Sequence, residues 1–477
     1  PRNENSFVMC SGGGFSSPSG IFVSRDNGET WTKTGDSAAD ELRQLKGNSD
    51  LLGIFDGTVI RKNPNLSVAV TSRRRQPFVF YRGGSATGDI DNSFFNRNTP
   101  RFKEYRQLAY SHPKTIRQQN RLFLLRHRAG GRLANANHSF GAFWDRFLHK
   151  DSKRFESYHP EYFAKGYVGE PPQMCYTDEG FIRQTVEDIR AYFDVGGYTN
   201  RYTNQGVPAS AKNPVASWGK DVYCLEPMDN LSMCTCERCT KLYEPNRAKE
   251  SSQHSTYWFK FVNTVAKEVK KTHPTKRVST LAYWSHPAPP SFRMEDNVDV
   301  HFCPHSNRSP FSWDFADLLT EQLKDWHGKL APGHLGVWFY NGFPYKHLGF
   351  PGFFIRLHAK QYREWIHDLQ IRRTVYHCGC HDHLENFAIF RWMWNPLLDV
   401  EALRDRYLKS YGSAEPQIRA ICDLMEKRYC DPQHWPKTYR HERIDIAWGW
   451  LGTDDVMQAL EAELKAAEAA ATTDFER

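Results

Sequence analysis

From about residue 77 onward the chain alternates short β-prone runs with longer amphipathic stretches, and no other feature limits the available folds as strongly. The runs cover residues 78–81, 134–140, 173–177, 222–227, 278–283, 298–303, 335–340 and 374–377. Helical spacing marks residues 179–193, 255–271, 315–326 and 355–369, and an eighth helix is expected to begin near Asp382. Parallel strands can be joined only through long crossovers, usually helices. Eight strand–helix units therefore predict an α/β fold of the (β/α)8 TIM-barrel type, its strands buried beneath their helices. The predicted division is an N-terminal segment over 1–76, a barrel over 77–398 and a C-terminal helical region over 399–477.

The N-terminal segment does not follow this rhythm. Residues 1–57 are rich in Gly, Ser and Asp and contain Ser24-Arg-Asp26-Asn-Gly28-Glu-Thr30-Trp31, which resembles the Asp-box hairpin of sialidase-like propellers. In such a turn the carboxylate accepts bonds from a tight Gly-containing loop. A propeller repeats the unit once per blade, so a single copy predicts one structural hairpin in a truncated or rearranged domain.

Charge excludes some partners. The net charge of +8 arises from 63 basic and 55 acidic residues spread along the chain, and the densest basic run is only Arg73, Arg74 and Arg75. Nucleic-acid binders concentrate basic charge in a stripe, so no nucleic-acid partner is expected. No window carries the roughly eighteen apolar residues of a membrane span, so no membrane partner is expected either. The chain opens on Pro1 without a basic-then-apolar leader. It reads as a processed chain, with a secreted or periplasmic location in a bacterium as the expectation. Aromatic residues make up 14% of the chain, including 14 Trp. Such rings suit either a pyranose-stacking cleft or a large barrel core.

A barrel of this type places its active site at the C-terminal ends of the strands. The second run is followed by Asn137 and His138, the third by Asp178 and Glu179, and the fourth by Glu226-Pro-Met-Asp229-Asn230. Past the fifth stand Tyr283, Trp284 and His286, and past the sixth His305 and Arg308. The seventh carries Trp338 and Tyr340, and the eighth His377, His381, Asp382 and Glu385. Glycoside cleavage needs one carboxyl as proton donor and a second as base or nucleophile. Asp229 is the first choice for the donor, because it follows an apolar strand in a turn that no helical periodicity explains. Asp382 or Glu385 is the expected partner. His138, Asn137, His305, Arg308, Tyr283, Trp284, Trp338 and Tyr340 are expected to bind substrate. Plainer readings stand beside these: Asp178 and Glu179 suit a helix N-terminus, Asp229 an Asx turn, and Trp338 and Tyr340 a core.

Cysteine spacing is the most specific local signal. Cys234-Thr-Cys236-Glu-Arg-Cys239 holds three thiols within six residues, just after the fourth run, and Cys175 ends the third. Four thiols aimed at one point would hold a structural zinc, since a catalytic zinc keeps an open position. The competing reading is a disulfide with a free buried cysteine. No cofactor is expected for catalysis.

Several segments together resemble a large bacterial family. They include Ala136-Asn-His138-Ser-Phe, His159-Pro-Glu-Tyr-Phe, Pro172-Gln-Met-Cys175-Tyr-Thr and Pro227-Met-Asp229-Asn. Cys234-x-Cys236-x-x-Cys239, Phe261-Val-Asn263-Thr-Val-Ala, Thr280-Leu-Ala-Tyr283, Trp394-Asn-Pro and Tyr411-Gly412 extend the resemblance, which runs from about residue 58 to about 435. The family is that of domain of unknown function 4838, described as glycoside-hydrolase-like and distantly akin to alpha-glucuronidases. The resemblance implies a (β/α)8 barrel preceded by a small α/β domain and followed by helices. The family pattern has Asn-Pro where this chain has Asp178-Glu179, which implies that those two are not a shared catalytic pair. Its usual N-terminal domain is not recognisable in residues 1–57.

The sequence thus predicts a glycoside hydrolase acting by carboxylate acid/base catalysis on a polysaccharide or oligosaccharide. Basic side chains past the later runs (His286, His305, Arg308, Lys346) favour an acidic sugar, uronic or sulfated. The alternatives are a non-catalytic carbohydrate-binding barrel and a metal-dependent enzyme built on His377, His381, His383 and Asp382.

Overall fold

The computed structural model describes residues 7–11, 20–24, 32–35, 77–84, 138–194, 221–250, 252–304, 315–340, 350, 353–378, 383–436 and 444–472. In chain order the strands are β1 (Phe7–Ser11), β2 (Gly20–Ser24), β3 (Thr32–Gly35), β4 (Tyr81–Gly84), β5 (Val222–Cys224), β6 (Arg277–Ala282), β7 (Val298–Phe302), β8 (Leu335–Tyr340) and β9 (Thr374–Cys378). The main helices are α1 (Gly141–Phe147), α2 (Glu179–Asp194), α3 (Glu237–Thr240), α4 (Ser255–Lys270) and α5 (Phe315–Lys329), then α6 (Ile355–Gln361), α7 (His383–Trp394), α8 (Val400–Leu408), α9 (Glu415–Cys430) and α10 (Asp454–Ala470). They fall into two compact units: residues 133–304 with 317–338, and residues 1–132, 305–316 and 339–477.

In the first unit β5, β6, β7 and the start of β8 pair in parallel, with Val222 opposite Arg277, Val278 opposite Val298 and Val300 opposite Leu335. Every residue of β7 is buried, as is all of β6 after Arg277. Burial on both faces is what a parallel sheet under helices requires, and it encloses even the polar side chains of Ser279, Thr280, Asp299 and His301. Helix α4 turns a continuous stripe inward through Trp258, Phe261, Val262, Val265 and Val269, each no more than 2% exposed. Helix α2 begins where Asp178 Oδ1 accepts the Phe181 amide at 3.0 Å. Much of the aromatic content is core: Phe181 stacks on Phe261 at 5.5 Å, and Phe140 lies 5.1 Å from Phe181. Arg146, 3% exposed, donates to both Asp188 oxygens at 2.5 and 3.0 Å and so fixes α1 against α2.

The expected closed (β/α)8 barrel is not what forms. The described residues hold six parallel strands instead of eight. Of the expected second strand only residues 138–140 are described, and the expected third, 173–177, is not a strand. Residues 138–140 run without ladder pairing. Residues 173–177 turn instead toward the preceding loop, in an antiparallel bridge of Met174 with Phe163. Cys175 N donates to Tyr162 O and Ala164 N to Gln173 O, both at 2.8 Å, so these backbone groups are already taken. Along that edge the segment is paired with the loop before it and not with a parallel strand.

In the second unit β4 and β9 pair in parallel, Tyr81 opposite Thr374, while β1, β2 and β3 form an antiparallel sheet in that order. The Asp-box-like sequence connects β2 to β3, the strands of an antiparallel hairpin. A core of Phe350, Phe354, Tyr429, Trp435, Ile446, Leu451 and Val456 packs beside α9 and α10. Arg404, 1% exposed, is held by Glu401 and Asp423, and Arg356 by Glu401, Asp423 and Glu426. These ion pairs tie α6, α8 and α9 together.

Burial also sets the response to acid. Loss of solvent lowers the imidazole pKa of His254 to about 4, of His286 to about 3 and of His358 to about 4, and takes His377 well below the usual value. Each of these histidines is neutral when folded, whereas in the unfolded chain it takes up a proton below about pH 6.5. Stability is therefore full above that pH and falls as pH drops toward the folded values, by up to about 1.4 kcal/mol per pH unit for each group. The buried carboxyls Glu226 and Glu426, raised by desolvation, act in the opposite sense but are fewer. Denaturant midpoints should fall between pH 7 and pH 5. A midpoint flat across that range would show that these imidazoles are solvated in the folded state.

Candidate functional site

The site begins where the β5 ladder ends. Leu225 N still bonds Ser279 O at 2.8 Å, but Pro227 has no amide to offer, so pairing must stop there. Side chains take over. The Glu226 carboxyl, 2% exposed, accepts from the Leu281 amide and the Thr280 hydroxyl, and burial drives its pKa well above the ordinary range. Ser139 fills the gap on the other side: its amide bonds Glu226 O at 3.0 Å, its hydroxyl donates to Cys224 O at 3.1 Å, and it accepts from Glu226 N at 2.9 Å.

Beyond Pro227 the chain makes a three-residue turn closed by Asn230 N to Met228 O at 2.7 Å, with Asp229 at its apex. The Asp229 side chain is 51% exposed, and its Oδ2 lies 3.8 Å from His138 Nε2. His138 Nδ1 stands 2.6 Å from Pro227 O. A carbonyl only accepts, so Nδ1 carries the hydrogen and Nε2 is the atom turned to the carboxylate. The structure thus joins two residues 91 positions apart in sequence, Asp229 and His138, at the end of one strand.

The remaining expected residues are dispersed. Tyr283 and Trp284 follow β6 with their rings edge-to-face at 5.9 Å. Trp284 is 41% exposed and has φ of 49°, a strained setting for a bulky side chain. Trp338 and Tyr340 are half-buried on one face of β8, alternating with buried Val337 and Phe339. Glu385 is 2% exposed and accepts the Phe354 amide at 2.7 Å, so it holds the first turn of α6. His377 is buried and bonded to Tyr362 at 2.9 Å, and His286 is buried beside Trp258 and Phe259. Asn137, His305, Arg308, Lys346, His381 and Asp382, and the side chain of His383, lie outside the described residues. Sequence reasoning named Glu226 at the end of the fourth run without giving it a role, and passed over Gln173. A carboxyl between an apolar strand and a proline was the available signal for the first; nothing local distinguished the second.

The four cysteines meet. Cys175, Cys234, Cys236 and Cys239 place their sulfurs within 4.8 Å of one another, a group that could hold a metal ion. Cys175 lies 3.8 Å from Cys236 and 3.7 Å from Cys239, and Cys236 lies 3.4 Å from Cys239. None is in a disulfide. Cys175 and Cys239, with the Lys165 amide 3.3 Å away, draw the Cys234 thiol down to about 3, while the same contacts push Cys239 up. One thiolate is favoured here and the next is resisted by its charge, a conflict that a cation resolves. A cavity of about 410 Å³ borders the cluster, lined in part by Thr177, Arg238 and Lys260, and Asp229 does not line it.

The family model described as Domain of unknown function (DUF4838) matches residues 76–423. The chain belongs to this family. The match spans β4 through most of α9 and so includes Asp229, His138 and all four clustered cysteines. Comparison with curated proteins and with solved structures returns no match. No helix among the described residues is long and apolar enough to cross a membrane.

Glu226 gives this geometry a direct check. Its folded pKa lies above the unfolded one, so the carboxyl opposes folding increasingly as pH rises past about 4.5. Glu226→Gln keeps the oxygen that accepts from Leu281 and Thr280. At pH 7 the variant should melt at or above the wild-type temperature. A clear fall would mean that the native site needs the charged carboxylate.

Proposed function

We propose that the chain is a glycoside hydrolase in which Asp229 and His138 handle the proton. The pairing of an exposed carboxyl with an imidazole of fixed tautomer, at the C-terminal end of a parallel strand, is the observation that supports this. With Nδ1 committed to Pro227 O, the imidazole can share a proton with Asp229 only through Nε2. The pair can then hold one proton at the strand end and give it to a leaving oxygen, or withdraw it from water, as glycoside cleavage requires. Burial of Glu226 disfavours its charged form and so limits competing negative charge near the pair. Trp284, exposed at the end of the neighbouring strand β6, offers a face on which a sugar ring can stack.

A panel of aryl glycosides and uronic-acid oligosaccharides tests the reading. Asp229→Asn should lower turnover on a natural glycan by about a hundredfold or more, with less loss where the leaving group needs no proton. Wild-type turnover in that variant would remove Asp229 from the chemistry. Failure of the unaltered protein to cleave any member of the panel, with measurable binding, would point to a carbohydrate-binding protein.

We also infer that the four cysteines hold a structural zinc. Zinc–sulfur bonds of about 2.3 Å in a tetrahedron put the sulfurs about 3.8 Å apart, close to the 3.4–3.8 Å among Cys175, Cys236 and Cys239, with all four sulfurs within 4.8 Å of one another. Four protein sulfurs would fill the coordination sphere and leave no position for water, so the ion would brace the fold and not the reaction. Elemental analysis should find about one zinc per chain. Cys236→Ser should lower the melting temperature more than it alters sugar affinity. Metal-free protein with a disulfide among the four would end the assignment.

A further inference from the structure

The Asp229 turn is exposed at its apex, yet one buried side chain grips it from below. Gln173 is fully buried and bonds both backbone groups of Met228, the residue before Asp229: its Nε2 donates to Met228 O at 2.7 Å, and its Oε1 accepts from Met228 N at 3.1 Å. The carbonyl that Gln173 holds is the one that closes the turn by accepting Asn230 N. Asn230 returns the contact, donating from Nδ2 to Pro172 O at 3.0 Å.

Gln173 is itself fixed. Tyr176 donates to its Oε1 at 2.6 Å, and Ala164 N binds its backbone carbonyl. Two residues further on, Cys175 enters the four-cysteine group together with Cys234, which lies five residues past Asp229. The chain on either side of the turn is therefore anchored to the same place. A primary amide is the group this position calls for, since it donates and accepts at once and so imitates a strand neighbour for Met228. This is the third place where a side chain stands in for the missing ladder, after Ser139 and Glu226.

We propose that Gln173 is a positioning residue for the Asp229–His138 pair: by clamping both polar groups of Met228 it fixes the turn that holds the carboxyl against the imidazole. This rests on the reading of that pair as the proton-handling site, but it can be tested apart from it. Misplacement of a reacting group by about 1 Å can cost on the order of a hundredfold in rate.

Gln173→Ala should lower kcat by roughly tenfold to a hundredfold with KM changed little. In Gln173→Glu the buried carboxyl can mimic the amide only when protonated, so activity relative to wild type should recover as pH falls; Gln173→Ala should show no such recovery. The structural readout is the response of the His138 ring resonances to Asp229→Asn. In the wild-type background this change should shift them clearly, and in the Gln173→Ala background the shift should be much smaller. If Gln173→Ala does not fold, Gln173→Glu carries both measurements, with the coupling weak at high pH and restored at low pH. An undiminished coupling between Asp229 and His138 in the Gln173 variant overturns the proposal. Should wild-type protein cleave no glycoside, the hydrolase reading falls, and the resonance measurement alone decides whether Gln173 positions the pair.

Discussion

A parallel ladder that stops inside a protein leaves amides and carbonyls that must be bonded or solvated. That constraint shapes the whole region around β5. The strand is only three residues long, Pro227 forbids its extension, and neither residues 138–140 nor residues 173–177 run as strands. Ser139, Glu226 and Gln173 supply the missing partners, and each reaches a different point of the same short stretch. The turn at Asp229 exists in its observed form because these side chains leave nothing else for the backbone to do.

The same arrangement links stability to chemistry. A buried glutamic acid, a buried glutamine and a serine with three hydrogen bonds surround the backbone between Cys224 and Met228. Networks of this kind are rigid when fully satisfied and expensive when one member is lost. The four-cysteine group lies on the same two segments of chain, Cys175 beside Gln173 and Cys234 just past Asp229. Structural bracing and the candidate proton-handling pair therefore belong to one set of contacts within a single compact unit.

Much of the architecture was legible in the chain. Helices α2 and α4 follow from apolar spacing, and strands β6, β7 and β8 from short β-prone runs between those helices. Closure into eight strands was not legible. Residues 173–177 read as β-prone, yet Cys175 N and Gln173 O pair with Tyr162 and Ala164, a choice made by residues ten or so positions earlier. Similarly, Glu385 read as a candidate carboxyl because it follows the eighth run; that its oxygen holds the Phe354 amide depends on how a distant segment folds back.

The sequence alone determined the family, the strand–helix alternation and the clustering of three thiols within one loop, since each is a matter of local order and spacing. Tertiary structure decided which groups meet. It brought Cys175 to the other three cysteines, set His138 against Asp229 with a fixed tautomer, and buried Glu226 and Gln173 beneath the turn. Contacts between residues some 55 to 91 positions apart leave no mark in local pattern. They arise only when hydrophobic burial has packed the strands and helices and the remaining polar groups must find partners where they stand.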